Sequence, residues 1–494
     1  MSKHKRVVVI GAGAGGLAAA MDLSAAGLDV TLIERAADVG GKMRKVDVGG
    51  ARVDAGPTVF TMRWIFDALF ERSGAQFDAE LNLTPATRLA RHFWLDGSTV
   101  DLWPDIQQSA DAIGEFSDAR NAQGYLRFCA DAQDVFRTLK DTFIDAQKPD
   151  PLTLGLRVGL HRVNALWRTR PFDTFGSRLQ SYFTDPRLQQ LFGRYSTYVG
   201  SSPYLTPATL MLIAHVEQDG VWLVDGGMHA VARAMLRVAE RNGASVRFGT
   251  TVKSVQVERG TITGVTLDTG DVIAADTVVF NGDSSALAAG LLGDDVRPAA
   301  KLTKRSDRSL SALTWCMHAK TSGVELDYHT VFFSDGYRRE FDDVFQKRKS
   351  PEEPTIYICA QDRTGRAPPT GRERLLVLVN APPDGDQASN PAMRDNDAQH
   401  RSMVGHLARY GLELESGAPC EMTGPEGFHG LFPGTGGALY GRSNHGPFAT
   451  FARPGAQSRV EGVYLAGGST HPGAGVPMAT LSGRLAAQAV LNRR

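Results

Sequence analysis

Gly11, Gly13 and Gly16 fall in a G-x-G-x-x-G pattern, and Glu34 follows at the end of a second apolar run. Glycines at that spacing let a backbone turn tightly and approach a pyrophosphate, and a carboxylate about 20 residues on accepts hydrogen bonds from ribose hydroxyls. The chemistry indicated is dinucleotide binding, and the flanking residues supply elements to position it. Residues 7–10 (VVVI) are a β-branched run suited to a buried parallel strand, residues 17–26 are an Ala-rich helix ending at Gly27, and residues 30–33 are a second strand. The helix N-terminus would then face the phosphates with free N–H groups and a partial positive charge.

Just after Glu34 come Arg35, the pair Gly40-Gly41 and Lys42, followed by GGARVDAGPT at 49–58. More glycine and a cation this close to the ribose carboxylate would wrap extra backbone around a longer, flavin-bearing ligand. The alternative is that the pair only punctuates a loop. The run from Glu34 to Lys42 resembles the E-(K/R)-x(4)-G-G-(R/K) motif of the flavoprotein amine-oxidase superfamily, and that resemblance implies FAD.

The chain has 494 residues, enough for two or more domains and a large core. Its 54 basic and 54 acidic residues cancel, which gives no electrostatic case for nucleic acid. Cys129, Cys316, Cys359 and Cys420 are far apart without C-x-x-C, so neither a disulfide framework nor a zinc site is suggested, and a reducing, cytoplasmic setting fits. The N-terminus runs directly into strand and glycine loop, leaving no room for a removable signal, and no run of about 18 uninterrupted apolar residues would span a bilayer.

Alternation over 81–103 around Asp96-Gly97 predicts a hairpin, and 110–145 predicts a helix with aromatic core markers. Residues 151–167 mix eight apolar side chains with Arg157, His161 and Arg162, and no acid appears between Asp150 and Asp173. A basic amphipathic helix of this kind suits an anionic membrane surface, and a solvated helix flanking the core is the other reading. Strands are expected at 246–248, 252–257, 262–267, 272–273 and 278–280, then at 311–317, 330–333, 355–359 and 375–379. Pro382 to Asp397 reads as a surface loop. Near the end, YLAGGSTHPGAGVPMA (464–479) repeats the order strand, glycine turn, helix N-terminus.

That ending, the opening GAGAGGLAAA, the middle VWLVDGGM and HTVFFSDGYRREFDDVF at 329–345 resemble the bacterial carotenoid desaturases of the phytoene-desaturase type nearly end to end. Residues 56–67 (GPTVFTMRWIFD) and 429–447 (HGLFPGTGGALYGRSNHGP) are most similar to the 1-hydroxycarotenoid 3,4-desaturases, also called methoxyneurosporene dehydrogenases. The resemblance implies an α/β fold: a Rossmann-type FAD-binding domain of the amine-oxidase kind, assembled from 1–75, 215–290 and 455–494, and a mixed α+β substrate domain from 76–214 and 291–454. It implies peripheral attachment to the inner membrane face and removal of two hydrogens from adjacent saturated carbons of a long hydrocarbon. No side chain is basic enough to take a proton from such a carbon first. Hydride loss to a flavin is feasible because the polyene spreads the remaining allylic cation, from which a weak base or water removes a proton. Quinone and oxygen are both open as electron acceptors.

Carried over residue by residue, Gly11, Gly13, Gly16 and Glu34 hold the ADP half. Arg35, Gly41 and Lys42 lie along ribose and pyrophosphate, and Val252 meets the adenine. Gly467, Gly468, Gly475, Val476 and Pro477 lie beside the phosphates and flavin ring. His471 is a candidate catalytic residue, against a reading in which it fixes the turn. Tyr195, Tyr198, Trp222 and His445 are candidates for an apolar substrate tunnel, against ordinary core roles. Phytoene desaturase, amine oxidase, a FAD-dependent carotenoid isomerase and a non-catalytic prenyl-lipid escort on the same fold are the rival readings.

Overall fold

A computed structural model describes residues 5–159, 169–364, 369–387 and 395–492. The β-branched run forms β1 (Arg6–Ile10), followed by α1 (Ala14–Ala25) and β2 (Asp29–Ile33). Three distant strands join them: β3 (Ser245–Arg247), β4 (Thr277–Phe280) and β5 (Val463–Leu465). The sheet order is β3-β2-β1-β4-β5, with every pairing parallel. Such a sheet is covered on both faces, which explains strands as apolar as Val7-Val8-Val9 and Val278-Val279. The closing helix α2 (Val476–Leu491) packs along α1. The two backbones nearly touch there: a Cβ on Gly483 would lie 1.9 Å from the carbonyl oxygen of Gly15.

A second sheet of seven strands runs in the order Cys420–Thr423, Ser311–Ala319, Glu373–Ala381, Ile356–Ala360, His329–Phe333, Ala90–Trp94, Thr99–Leu102. It is antiparallel except where His329–Phe333 meets Ala90–Trp94. The last two strands form a hairpin that turns at Asp96-Gly97, with Gly97 at φ +81°. Stacked Phe93–Phe332 and Trp94–Phe333 rings bind the hairpin to its neighbour.

One expectation is corrected. The single helix over 110–145 is instead Ile106–Phe116 and Ala119–Leu139, continued by a wider turn over Lys140–Ile144. The break comes from Asp118, whose carboxylate accepts from the Asn121 N–H and so starts a new helix where the apolar pattern runs on. Of the amphipathic helix expected over 151–170, Pro151–Val158 is helical and is closed by Gly159 at φ +87°. Its His161, Arg162, Trp167 and Arg168 lie outside the described residues. Arg157 is spent on carbonyl oxygens, donating to Gln147 at 2.9 Å and Thr142 at 3.2 Å. No helix among the described residues is long and apolar enough to cross a membrane.

Candidate flavin and substrate site

Both glycine turns converge because both lie at C-terminal ends of strands of one parallel sheet, on either side of β4, where ligands sit in open α/β sheets. Gly11 leaves β1 at φ +99°, and Gly13 opens α1. Gly467 leaves β5 at φ +103°, and Gly475 opens α2. Neither helix carries an acid in its first turn, so both positive ends face the space between them.

At Gly16, Gly15 and Gly41 there is little or no room for a side chain. A Cβ on Gly16 would sit 2.0 Å from the carbonyl oxygen of Gly11, and one on Gly15 would sit 2.7 Å from the Gly467 nitrogen. A Cβ on Gly41 would approach the Gly13 Cα at 3.1 Å. Asn281, at the end of β4, is the hub: its amide donates to the Gly11 carbonyl at 3.2 Å, and its side chain lies against Gly13, Gly15 and Gly467. The Glu34 carboxylate accepts from the Ala12 N–H at 2.7 Å and the Ala36 N–H at 2.9 Å. These bonds fix its orientation, and each oxygen keeps a lone pair for a ribose hydroxyl. The cradle of backbone, two helix N-termini and a fixed carboxylate fits the ADP part of a dinucleotide.

One cavity of about 930 Å³ opens from this cradle. Its wall contains Gly11, Gly13, Glu34, Arg35, Gly41, Lys42, Val252, Gly467, Gly468, Gly475, Val476, Pro477 and Tyr198. Gly16 lies just behind, as the packing contact that lets α1 start beside β1. Arg35 donates to the carbonyls of Gly430 and Leu431. Lys42 donates to the Leu439 carbonyl at 2.6 Å and lies over the Phe432 ring. Burial lowers its pKa, and Asp283 partly offsets that. Much of the rest of the wall is apolar, with Leu139, Phe143, Leu154, Ile213, Leu376 and Phe451 among its residues.

Besides Gly16, four sequence candidates are not in that wall. Tyr195 is buried behind it, beside Glu217. Trp222 pairs with Phe60 across a short antiparallel ladder, in edge contact with its ring. His445 accepts from the Ser202 N–H at 3.0 Å and abuts Phe345, and burial lowers its pKa to about 4. His471 is 2% exposed, hydrogen-bonds the Ala146 carbonyl through Nε2 at 2.9 Å and packs edge-on against Phe143. Burial lowers its pKa to about 4. These contacts make His471 a clamp between the C-terminal turn and residues 143–146. His471→Ala is therefore expected to cost about 1–2 kcal/mol of stability for the lost bond and packing, while turnover per bound flavin stays at the wild-type level. A collapse of that turnover with flavin retained would instead give the imidazole a catalytic role.

Sequence reading missed three residues besides Asn281. Gly15 and Gly483 mark the close helix crossing. Arg453 is 1% exposed and donates to the carbonyls of Gly468 (2.9 Å), Tyr440 (3.0 Å) and Arg442 (2.6 Å). Burial lowers its pKa to about 10. The available signals were Asn281 directly after an apolar strand and a glycine in the middle of the final helix.

Comparison with known proteins agrees with this geometry. Residues 14–491 match the family model described as flavin containing amine oxidoreductase. A hydroxyneurosporene desaturase of Rubrivivax gelatinosus is 49% identical over 492 residues, covering 98% of this chain and 93% of its own length. A 1-hydroxycarotenoid 3,4-desaturase of a Flavobacterium species is 29% identical over 497 residues, covering 99% of each chain. A solved putrescine oxidase structure superposes with a TM-score of 0.62 at 15% identity over 99% of both chains, a likeness of fold. The chain thus belongs to the flavin-containing amine oxidoreductase family, in its bacterial carotenoid-desaturase branch, and its cofactor is FAD.

Proposed function

We propose that this protein is a FAD-dependent desaturase that introduces a double bond at C3–C4 of an acyclic, 1-hydroxylated carotenoid. The observation that carries the reading is a continuous cavity that runs from the glycine cradle into an apolar channel. Its relatives' names support the substrate class. Bound FAD supplies the hydride acceptor. The chain's own residues bind, orient and exclude: Gly11, Gly13, Glu34 and Val252 hold the adenosine end, and Arg35, Gly41 and Lys42 run along the middle. Gly467, Gly468, Gly475, Val476 and Pro477 close over the other end, and the apolar wall holds one C–C bond in place while keeping out water.

The division into a FAD-binding unit (1–75, 215–290, 455–494) and a substrate unit (76–214, 291–454) is part of this proposal. It is supported by a parallel sheet that draws its strands from the first set and a seven-stranded sheet drawn from the second.

The decisive experiment is anaerobic turnover of the FAD-loaded protein with added quinone, using 1-hydroxyneurosporene and, separately, phytoene, and following polyene absorption. A red shift of one double bond with the hydroxylated substrate alone is the expected result. Conversion of phytoene would move the protein to phytoene desaturase. No change with either substrate, repeated under oxygen, would favour the isomerase. The quinone and oxygen arms also identify the electron acceptor.

The proposal includes peripheral attachment to the inner, cytoplasmic face of the membrane. The helix Pro151–Val158 lines the cavity with Pro151 and Leu154 and turns Leu152 (82% exposed) and Leu156 (73%) outward. Phe172 (62%) and Phe448 (58%) border the same cavity with their rings in contact. Exposed apolar side chains around an apolar opening suit a lipid surface that delivers a lipid-soluble substrate. Replacing Leu152 and Leu156 by Ser removes two insertions of about 1.5 kcal/mol each, so liposome pelleting is expected to weaken by about 100-fold. Equal pelleting of variant and wild type would remove this part of the proposal.

A further inference from the structure

In the largely apolar cavity wall lie a guanidinium and a carboxyl group, those of Arg194 and Glu217, joined through Tyr198. Arg194 Nη2 donates to the Tyr198 hydroxyl at 2.9 Å, and that hydroxyl donates to Glu217 Oε1 at 2.6 Å. Tyr195 backs the same carboxylate. Among the described residues the guanidinium donates to Tyr198 alone, and Arg194 and Tyr198 keep surface open to the cavity. A hydrocarbon gains nothing from such a group, and leaving buried polar groups beside one without a hydrogen-bond partner costs free energy. The cluster fits a ligand that both accepts and donates a hydrogen bond. A hydroxyl does both.

Its position is also suitable. The Arg194 guanidinium lies over the Tyr357 ring, 5.9 Å from its centroid, and the Tyr357 hydroxyl is 2.6 Å from Thr58 Oγ1. Thr58 belongs to the segment in which Gly56 packs directly on the backbone of Lys42, where a Cβ would fall 1.8 Å from the Lys42 carbonyl oxygen. The cluster is thus tied to the segment that flanks the cofactor cradle. The oxygen of a hydroxyl at C1 lies only about three bonds from C3, so a group that reads it must stand close to the reacting bond.

We propose that Arg194, Tyr198 and Glu217 form the subsite that holds the tertiary hydroxyl of the substrate, with Arg194 donating to the hydroxyl oxygen and Glu217 accepting its proton in a hydrogen bond. This rests on the reading of the protein as a hydroxycarotenoid desaturase and assigns the residues that impose that specificity. A site built to hydrogen-bond a hydroxyl rejects the analogue without it by up to about 10⁴-fold, because its buried polar groups are then left unpaired.

The test compares kcat/KM for 1-hydroxyneurosporene and for neurosporene in the FAD-loaded wild type, Glu217→Gln, Arg194→Met and Tyr198→Phe, with flavin content as the check on folding. The wild type is expected to prefer the hydroxylated substrate by about 100-fold or more, and Glu217→Gln and Arg194→Met to bring the ratio within about 5-fold. Tyr198→Phe, which deletes a single oxygen, keeps the test available if Arg194→Met fails to load flavin, and it is expected to lower the ratio at least 10-fold. A wild type that converts both substrates equally would overturn the functional reading. A wild type that discriminates, with flavin-loaded variants that discriminate equally well, would overturn the subsite alone.

Discussion

Gly16→Ala is expected to purify with little or no flavin. The added methyl carbon would fall 2.0 Å from the Gly11 carbonyl oxygen and 3.2 Å from the Asn281 Cβ. Carbon and oxygen settle at about 3.3 Å, and the nearest obstacle is backbone, so no rotamer change relieves the overlap. The start of α1 has to move away from β1, and the N–H groups of Gly13, Ala14 and Gly15 move with it. Overpacking of this kind costs about 3 kcal/mol, or about 100-fold in flavin affinity. Flavin absorption per mole of protein and the rate of flavin release on dilution measure the effect. Gly155→Ala is the control, since a Cβ there meets nothing within 4 Å. Stoichiometric, slowly released flavin in Gly16→Ala would show that the turn does not hold the cofactor as described.

Arg453→Met is expected to lose both stability and flavin retention. The buried guanidinium satisfies three carbonyl oxygens, and one of them belongs to Gly468 in the C-terminal glycine turn. Methionine keeps much of the stem and removes every donor, leaving the carbonyls of Gly468, Tyr440 and Arg442 without that partner. At about 1–3 kcal/mol for each orphaned group, the cost is about 3 kcal/mol or more, concentrated where the 440–442 segment meets the turn. Flavin-release melting should drop several degrees, and Arg453→Lys, with one ammonium in place of a fork, should recover only part of the loss. An unchanged melting midpoint in Arg453→Met would refute the tethering role.

The parallel sheet was legible because its signals are local. Residues 7–34 contain strand, turn, helix and carboxylate in one stretch, and 464–491 repeats the order with different glycines. The expected strands over 246–280 and 311–379 formed where alternation or β-branched runs placed them, because the side chains themselves favour extended backbone. The helix over 110–145 was misjudged because the apolar repeat continues across Ser117-Asp118, where a capping carboxylate outweighs periodicity. Trp222 and His445 have the right side chains for a tunnel, but aromatic character says nothing about which side of a core a ring faces.

By itself, then, the sequence determined the two glycine turns, the helix N-termini that follow them and the family, since backbone turns and close approach are written in contiguous glycines. Only the tertiary structure decided what stands around the cradle. Asn281 reaches Gly11 across 270 residues of chain, and Arg453 fastens a glycine turn whose motif does not include it. The pairing of Arg194 with Tyr198 is a local i,i+4 contact, yet its placement beside Glu217, Tyr357 and the apolar cavity follows from how the helices pack on the seven-stranded sheet. Side-chain chemistry is fixed one residue at a time, whereas a cavity wall is fixed by which distant surfaces the core brings together.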